Sequence, residues 1–307
     1  MFVVLCAIGA ISFPAFATPL NLANISRQVS MPGLLALGMG FVILSGGIDL
    51  SVGSIAALTS IVAVLLGGWF GPAAVVAPIL IGVAIGALNG VLITRGRIPP
   101  FIVTLAMMLG VRGLTFILAG DGLSAADGDV KFPEWFEQIF RGDVLGIPNP
   151  VIILMVAFGV GIVVSKYTSF GRSVFAVGGS EEAARMMGLN VSKCQILVYM
   201  ICGGCAGVAG LLLASRLKAV DPTATPGWEL TAIAAVVIGG IPLTGGLGKI
   251  GHVIYGVLIL GIIPNLINHL INHLNISLPP WYNEMIIGML LLAVVLLQSL
   301  IAKRDTR

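Results

Sequence analysis

Charge is what this sequence has least of: Asp, Glu, Lys and Arg together make up 9% of its 307 residues. Soluble domains carry about 25%, so the chain has too few ionic groups to coat itself for water. The net charge of +3 is too small to suggest a nucleic-acid partner. Histidine is limited to His252, His269 and His273, which show no metal arrangement. Cysteine is limited to Cys6, Cys194, Cys202 and Cys205. The Cys202-x-x-Cys205 pair lies in an apolar run beside Gly203, Gly204 and Gly207 with no further ligand nearby, so it reads as small apolar packing. No cofactor or metal is expected. Clustered catalytic residues are missing too, which argues against a membrane-bound enzyme.

What the sequence has instead is apolar length. Hydrophobic residues make up 58% and the mean hydropathy is +1.08. Runs near the ~20 residues needed to cross a bilayer recur along the chain. Reading between breakers predicts ten spans, near 1–18, 31–48, 51–70, 73–94, 100–119, 150–167, 195–215, 229–244, 251–268 and 282–301. The breakers include Gly46-Gly47-Ile48-Asp49, Gly71-Pro72, Arg95-Gly96-Arg97, Pro99-Pro100 and Pro279-Pro280. Two stretches, 31–70 and 229–268, read either as paired full spans or as broken helices with re-entrant parts. Ala15-Phe16-Ala17 resembles a signal-peptide cleavage site, but no basic region precedes it and another span follows, so 1–18 is read as a first span. The expected fold is an all-α polytopic transmembrane bundle, with 1–307 a single transmembrane domain.

Positive charge fixes the expected orientation. Ten spans with both termini cytoplasmic place Arg95, Arg97, Lys166, Arg172, Arg185, Lys193, Lys249, Lys303, Arg304 and Arg307 inside. Arg27, Lys131, Arg141, Arg216 and Lys218 fall outside, where the 120–149 loop holds six acids against two bases. The 166–194 loop is then cytoplasmic and the 120–149 loop periplasmic. A repeat at an offset of 180 relates Gly47-Ile48-Asp49-Leu50-Ser51 to Gly227-Trp228-Glu229-Leu230-Thr231, and Pro99-Pro100-Phe101 to Pro279-Pro280-Trp281. Five spans separate the two members, so the halves are expected to form an inverted repeat of five spans each, as transporters do.

The cytoplasmic loop carries the most informative polar segment, Ser180-Glu181-Glu182-Ala183-Ala184-Arg185-Met186-Met187-Gly188. Ser180 suits an N-cap, the two acids suit the positive end of a helix, and Gly188 suits a stop. Met186 and Met187 would give this short helix an adaptable apolar face for a partner's groove. Glu182-Ala183-Ala184-x-x-x-Gly188 resembles the signature of ABC importer permeases, in which this segment is the coupling helix that docks on the ATPase subunit. Ala36-Leu37-Gly38-Met39, Val42-Ile43-Leu44 and the block from Gly46 to Ser54 resemble the fingerprint of ribose-type sugar permeases, within the branched-chain amino acid and ribose permease superfamily. Phe170-Gly171-Arg172, the block from Ala176 to Gly179 and the block from Ile233 to Gly240 extend the resemblance over essentially the whole chain beyond its first residues. Two departures stand out. The family's longer basic leader is missing, which points to a shortened chain or a late start codon, and Gly40 stands where Thr is common.

The resemblance implies a functional unit of two permease copies, identical or paralogous, with two ABC ATPase domains and a periplasmic sugar-binding protein outside. It also implies a small sugar as passenger and the bacterial inner membrane, with its lipid, as the location. Gly248-Lys249 is the nearest approach to a nucleotide-binding loop, but Ile250 follows where Ser or Thr is needed and Leu243 replaces the first glycine. Hydrolysis is therefore expected from another polypeptide. Polar residues within spans are the pathway candidates: Asp49, Ser51, Asn89, Asn265 and Asn268. Asp49 either faces the pathway or caps a turn, and the asparagines either bind sugar hydroxyls or bridge helices. Arg112 needs an anion, for which Asp49, Glu229 and Glu284 are available, or it snorkels outward. An ion-coupled secondary transporter of a polar solute is the alternative, although acids in mid-span are almost absent.

Overall fold

A computed structural model describes residues 2–67, 71–120, 132–219, 221–274, 282, 285–293 and 296. Its helices are α1 (Phe2–Ser12), α2 (Pro19–Leu44), α3 (Val52–Gly67), α4 (Ala73–Thr94), α5 (Pro100–Ala119) and α6 (Glu134–Phe140). They continue as α7 (Asn149–Tyr167), α8 (Ser169–Gly179), α9 (Glu181–Met186), α10 (Val191–Leu217), α11 (Trp228–Ile238) and α12 (Ile250–His273). Between α6 and α7, β1 (Asp143–Val144) and β2 (Ile147–Pro148) pair antiparallel, the one strand pairing among the described residues. The chain is thus all-helical and polytopic: α2, α4, α5, α7, α10 and α12 are long and apolar enough to cross a membrane, and α1, α3 and α11 are shorter apolar helices.

Several boundaries differ from those read off hydropathy. The first helix ends at Ser12, and α2 starts at Pro19 instead of residue 31. The Thr18 side chain accepts the Asn21 N–H and Pro19 fills the first turn, so a helix opens there on local chemistry. Asn21, Asn24, Ser26, Arg27 and Gln28 lower the hydropathy of that turn and hide it. At the other end the N–H groups of Ser45, Gly46 and Gly47 turn back onto carbonyls of Phe41, Val42 and Ile43, and Gly46 adopts φ +83. The 31–70 stretch is therefore two helices around a break. The expected span 229–244 is helical for only 11 residues, about 16 Å of rise. That is too short to cross a ~30 Å hydrocarbon core. A loop follows in which Gly240, Gly245, Gly246 and Gly248 all have positive φ. The expected span 282–301 lies partly outside the described residues; 285–293 are helical.

The core is built around α2. Almost every residue from Val29 to Leu44 is buried, against α7, α10, α11 and α12. Such a helix, apolar all round, has to be enclosed by protein. By contrast α4, α5 and α7 leave Leu80, Leu109, Ile117, Val156 and Val160 exposed, an apolar rim suited to lipid. Before α7, Phe132 stacks on the buried Phe136 with centroids 4.3 Å apart and presses on Gly67, while Glu137 pairs with Lys218 at 2.7 Å. These contacts pin α6 over the ends of α3 and α10.

Packing repeats at the offset of 180. Shifted by that amount, α2, α3 and α4 overlap α10, α11 and α12. Accordingly α10 packs on α3 and α4, α2 packs on α11 and α12, and α3 meets α4 as α11 meets α12. The pair α2 and α10 is antiparallel: Gly38 lies on Cys202 and Cys205, and Gly47 lies on Tyr199.

Between α4 and α10 the backbones nearly touch. A Cβ on Gly82 would sit 2.2 Å from the Gly203 carbonyl, and one on Gly86 2.1 Å from the Tyr199 carbonyl. Small residues allow this approach, and dispersion over the long seam rewards it in lipid. Gly86→Leu must push the helices apart. A loss of at least about 1–3 kcal/mol is expected, read as a lower melting temperature and poor recovery of the detergent-solubilised chain. Gly113→Leu is the control, because nothing lies within 4 Å of its Cβ position.

Candidate functional site

Two features lie together at the end of the bundle that carries α8 and α9. The first is the segment Ser180–Gly188. The Ser180 side chain accepts the Ala183 N–H at 3.2 Å, Arg185 pairs with Glu181 at 2.7 Å one turn away, and Gly188 ends the helix at φ +81. The Leu189 N–H returns to the Ala184 carbonyl, and Ala184 is fully buried, so the helix is seated on one side. Its other side presents Met186 and Met187, 84% and 69% exposed. Two methionines held outward on a capped, charged turn form a surface suited to a groove in another protein.

The second feature is the break between α2 and α3. Asp49 is fully buried, and its Oδ1 accepts both the Ser51 N–H at 2.9 Å and the Ser51 hydroxyl at 2.6 Å. This is an Asx turn: Asp49 stands before the cap position and shapes the turn instead of capping α3 directly. Asn89 on α4 donates from Nδ2 to Ser51 Oγ at 3.0 Å, which extends the chain of hydrogen bonds across helices. The Ile48 carbonyl accepts from Thr104 of α5 and from Tyr199 of α10, each at 3.3 Å. The break is thus held by three neighbouring helices. Asp49 Oδ2, Asn89 Oδ1 and, on α11, Glu229 Oε2 remain buried without hydrogen-bond partners. Each such acceptor costs about 1–3 kcal/mol, so the network is not optimised for stability alone. Glu229 packs on Gly53 at the start of α3.

The expected polar set therefore separates. Asp49, Ser51 and Asn89 form one cluster. Asn265 instead exchanges hydrogen bonds with Asn21 at 3.2 and 3.0 Å, and Asn268 accepts the Tyr282 hydroxyl. Arg112 reaches neither Asp49 nor Glu229; its Nη2 is buried without a hydrogen-bond partner, and Glu284 lies outside the described residues. Among the described residues no three His, Cys, Asp or Glu side chains converge on a metal position, and the four cysteines are free.

Two parts of this end are missed by reading the sequence. One is Tyr199, fully buried against Gly47; the one signal for it is a lone tyrosine in a helix of small and aliphatic residues. The other is a junction of three backbones. Gly246 N–H donates to the Leu44 carbonyl at 2.9 Å, and Gly178 is so close that a Cβ would fall 1.8 Å from that carbonyl and 2.6 Å from Gly246 N. The end of α8, the end of α2 and the loop after α11 meet there with no side chain between them. Paired glycines at 46–47, 178–179 and 245–246 are its trace in the sequence.

Comparison with known proteins gives these features a family. The family described as branched-chain amino acid transport system / permease component matches residues 21–295. The ribose import permease protein of Escherichia coli K12 is 41% identical over 298 residues, covering 96% of this chain and 91% of the relative. The corresponding Bacillus subtilis protein is also 41% identical, over 96% and 89%. The L-arabinose ABC transporter permease protein of Azospirillum brasilense is 39% identical, over 96% and 85%. No solved structure matches. With 275 of its residues, 21 through 295, inside the family's pattern and an all-helical, lipid-suited fold, this chain belongs to the branched-chain amino acid transport system / permease component family of multi-pass membrane permeases.

Proposed function

We propose that this chain is the pore-forming subunit of an ATP-binding-cassette importer for a small, ribose-like sugar in the bacterial inner membrane. The observation that carries the reading is α9: a capped helix at one end of the bundle with Met186 and Met187 held outward. A separate ATPase subunit grips this helix, and hydrolysis is external to this chain. The sugar class is supported by relatives that import two pentoses, ribose and L-arabinose.

In this reading the chain crosses the membrane ten times with both termini cytoplasmic, as two inverted halves. The antiparallel pair α2 and α10, and the matching partners of each, support that arrangement. Two permease copies enclose the passage, and a periplasmic sugar-binding protein delivers the passenger to the face bearing α6. Closure of the ATPases moves α9, and the copies rock between outward-open and inward-open states. The Asp49–Ser51–Asn89 cluster lies near the inner end of the passage and sets the geometry of the α2–α3 break. Asn265 and Asn268 lie farther out along α12.

Uptake of labelled ribose and L-arabinose by membrane vesicles, with ATP supplied inside, tests the proposal. Transport that requires an intact ATPase subunit supports it. Transport driven by an ion gradient without ATP would instead establish the secondary-transporter reading. Glu182→Lys reverses charge at the positive end of α9, where a carboxylate contributes about 0.3–1 kcal/mol, and presents a cation to the partner. The expected result is loss of ATPase-subunit pull-down with normal membrane insertion; unchanged pull-down counts against the role of α9.

A further inference from the structure

We infer that the loop between α11 and α12 is a second docking element for the same ATPase subunit, with Leu247 inserted beside α9 into an apolar part of its groove. The inference rests on the proposed coupling role of α9. Leu247 is 69% exposed, and Leu243 is also exposed. The loop does not leave Leu247 outward by chance of disorder: Gly245, Gly246 and Gly248 hold φ of +79, +72 and +114 around it, and Gly245 is itself buried.

Location decides the occupant. A Cβ on Gly246 would lie 2.6 Å from Gly179 N and 2.7 Å from Gly179 Cα, and Ser180, the cap of α9, follows directly. Leu247 therefore stands next to the start of α9. Thr244 and Lys249, which flank it in the loop, are exposed as well, as are Glu181 and Glu182 opposite. That polar company favours water over lipid as the surroundings of Leu247. Because Leu247 lies beside the residues that open α9, a protein that grips this short helix has Leu247 at the edge of its footprint. The Gly246 N–H to Leu44 carbonyl bond ties this loop to the α2–α3 break. A partner gripping both elements would move the two helix breaks together rather than α9 alone.

The test places a photo-crosslinking amino acid at 247, at 187 and at 145, in permease co-expressed with its genetically adjacent ATPase subunit. Leu145, 98% exposed at the tip of the β1–β2 hairpin, serves as the remote control. Crosslinks to the ATPase subunit from 247 and 187, with none from 145, are expected. A crosslink from 187 alone overturns the second element and leaves the α9 reading standing. Crosslinks from neither position, in protein that inserts normally, overturn both. In quantitative pull-down Leu247→Asp is expected to weaken retention about tenfold, the scale of one well-buried interface side chain. Leu247→Met, which keeps an apolar side chain, is expected to restore it. Equal retention by all three proteins overturns the inference.

Discussion

Replacing Gly178 with valine is expected to abolish sugar uptake and to lower the melting temperature of the solubilised permease. The added Cβ would fall 1.8 Å from the Leu44 carbonyl oxygen and 2.6 Å from Gly246 N, both backbone atoms that no rotamer change can move aside. Relief requires the end of α8 to back away from both atoms, or the loop and the end of α2 to part and lose the hydrogen bond from Gly246 N–H to the Leu44 carbonyl. Overpacking costs about 1–3 kcal/mol, and where the loop parts from α2 the loss of that backbone hydrogen bond adds about 0.5–1.5 kcal/mol. Gly179→Ala is the matched control, because nothing lies within 4 Å of its Cβ position. Normal uptake and an unchanged melting curve for Gly178→Val would falsify the three-backbone junction. A protein that melts normally yet no longer transports would assign the junction to coupling more than to stability.

The second large effect is expected at Asp49, where two substitutions separate shape from charge. Asp49→Ala removes the acceptor of the Ser51 N–H and hydroxyl, both buried. The same change deletes the unpartnered Oδ2, so the net loss is expected near 2–4 kcal/mol instead of the sum of two orphaned donors. Asp49→Asn keeps an oxygen for Ser51 and favours the same Asx turn. It is expected to fold like the parent and to retain uptake. Should Asp49→Asn melt normally but fail to transport, the carboxyl group has a role in the passage beyond shaping the turn. Thermal melts and vesicle uptake on the same preparations distinguish the outcomes.

These two positions also mark how far the sequence could be read. Asp49 was visible because an acid inside an apolar stretch is costly and calls for explanation. Its partner Ser51 was visible for the same reason, and so was Asn89. Whether the acid faced a passage or shaped a turn depended on a distance, and a distance is tertiary information. Gly178 stood out only as part of the block from Ala176 to Gly179 that carries the family resemblance; its structural role comes from the approach of two other chain segments. Helix ends show the same division. Ser180 and Gly188 bound α9 through local chemistry, and the sequence sufficed. The start of α2 was missed because hydropathy cannot register Thr18 and Pro19 opening a helix through polar residues. The 229–268 stretch reads either as full spans or as a broken helix, because an apolar run looks alike whether it continues as helix or as a glycine loop; the short α11 decides for the break.

The enclosure of α2 has a consequence for biosynthesis. Of the six long helices it has the lowest hydropathy, 1.4, and it leaves the ribosome before the helices that enclose it. The helix that covers much of it, α10, begins at Val191, 147 residues after α2 ends at Leu44. At roughly 5–20 residues per second the nascent chain holds α2 in the membrane without α10, α11 or α12 for on the order of ten seconds or more. During that interval the least apolar of the long helices lacks most of the protein that encloses it. A ribosome that stalls between α7 and α10 therefore leaves behind a fragment in which α2 has α7 but lacks α10, α11 and α12, and membrane quality control should recognise that fragment first.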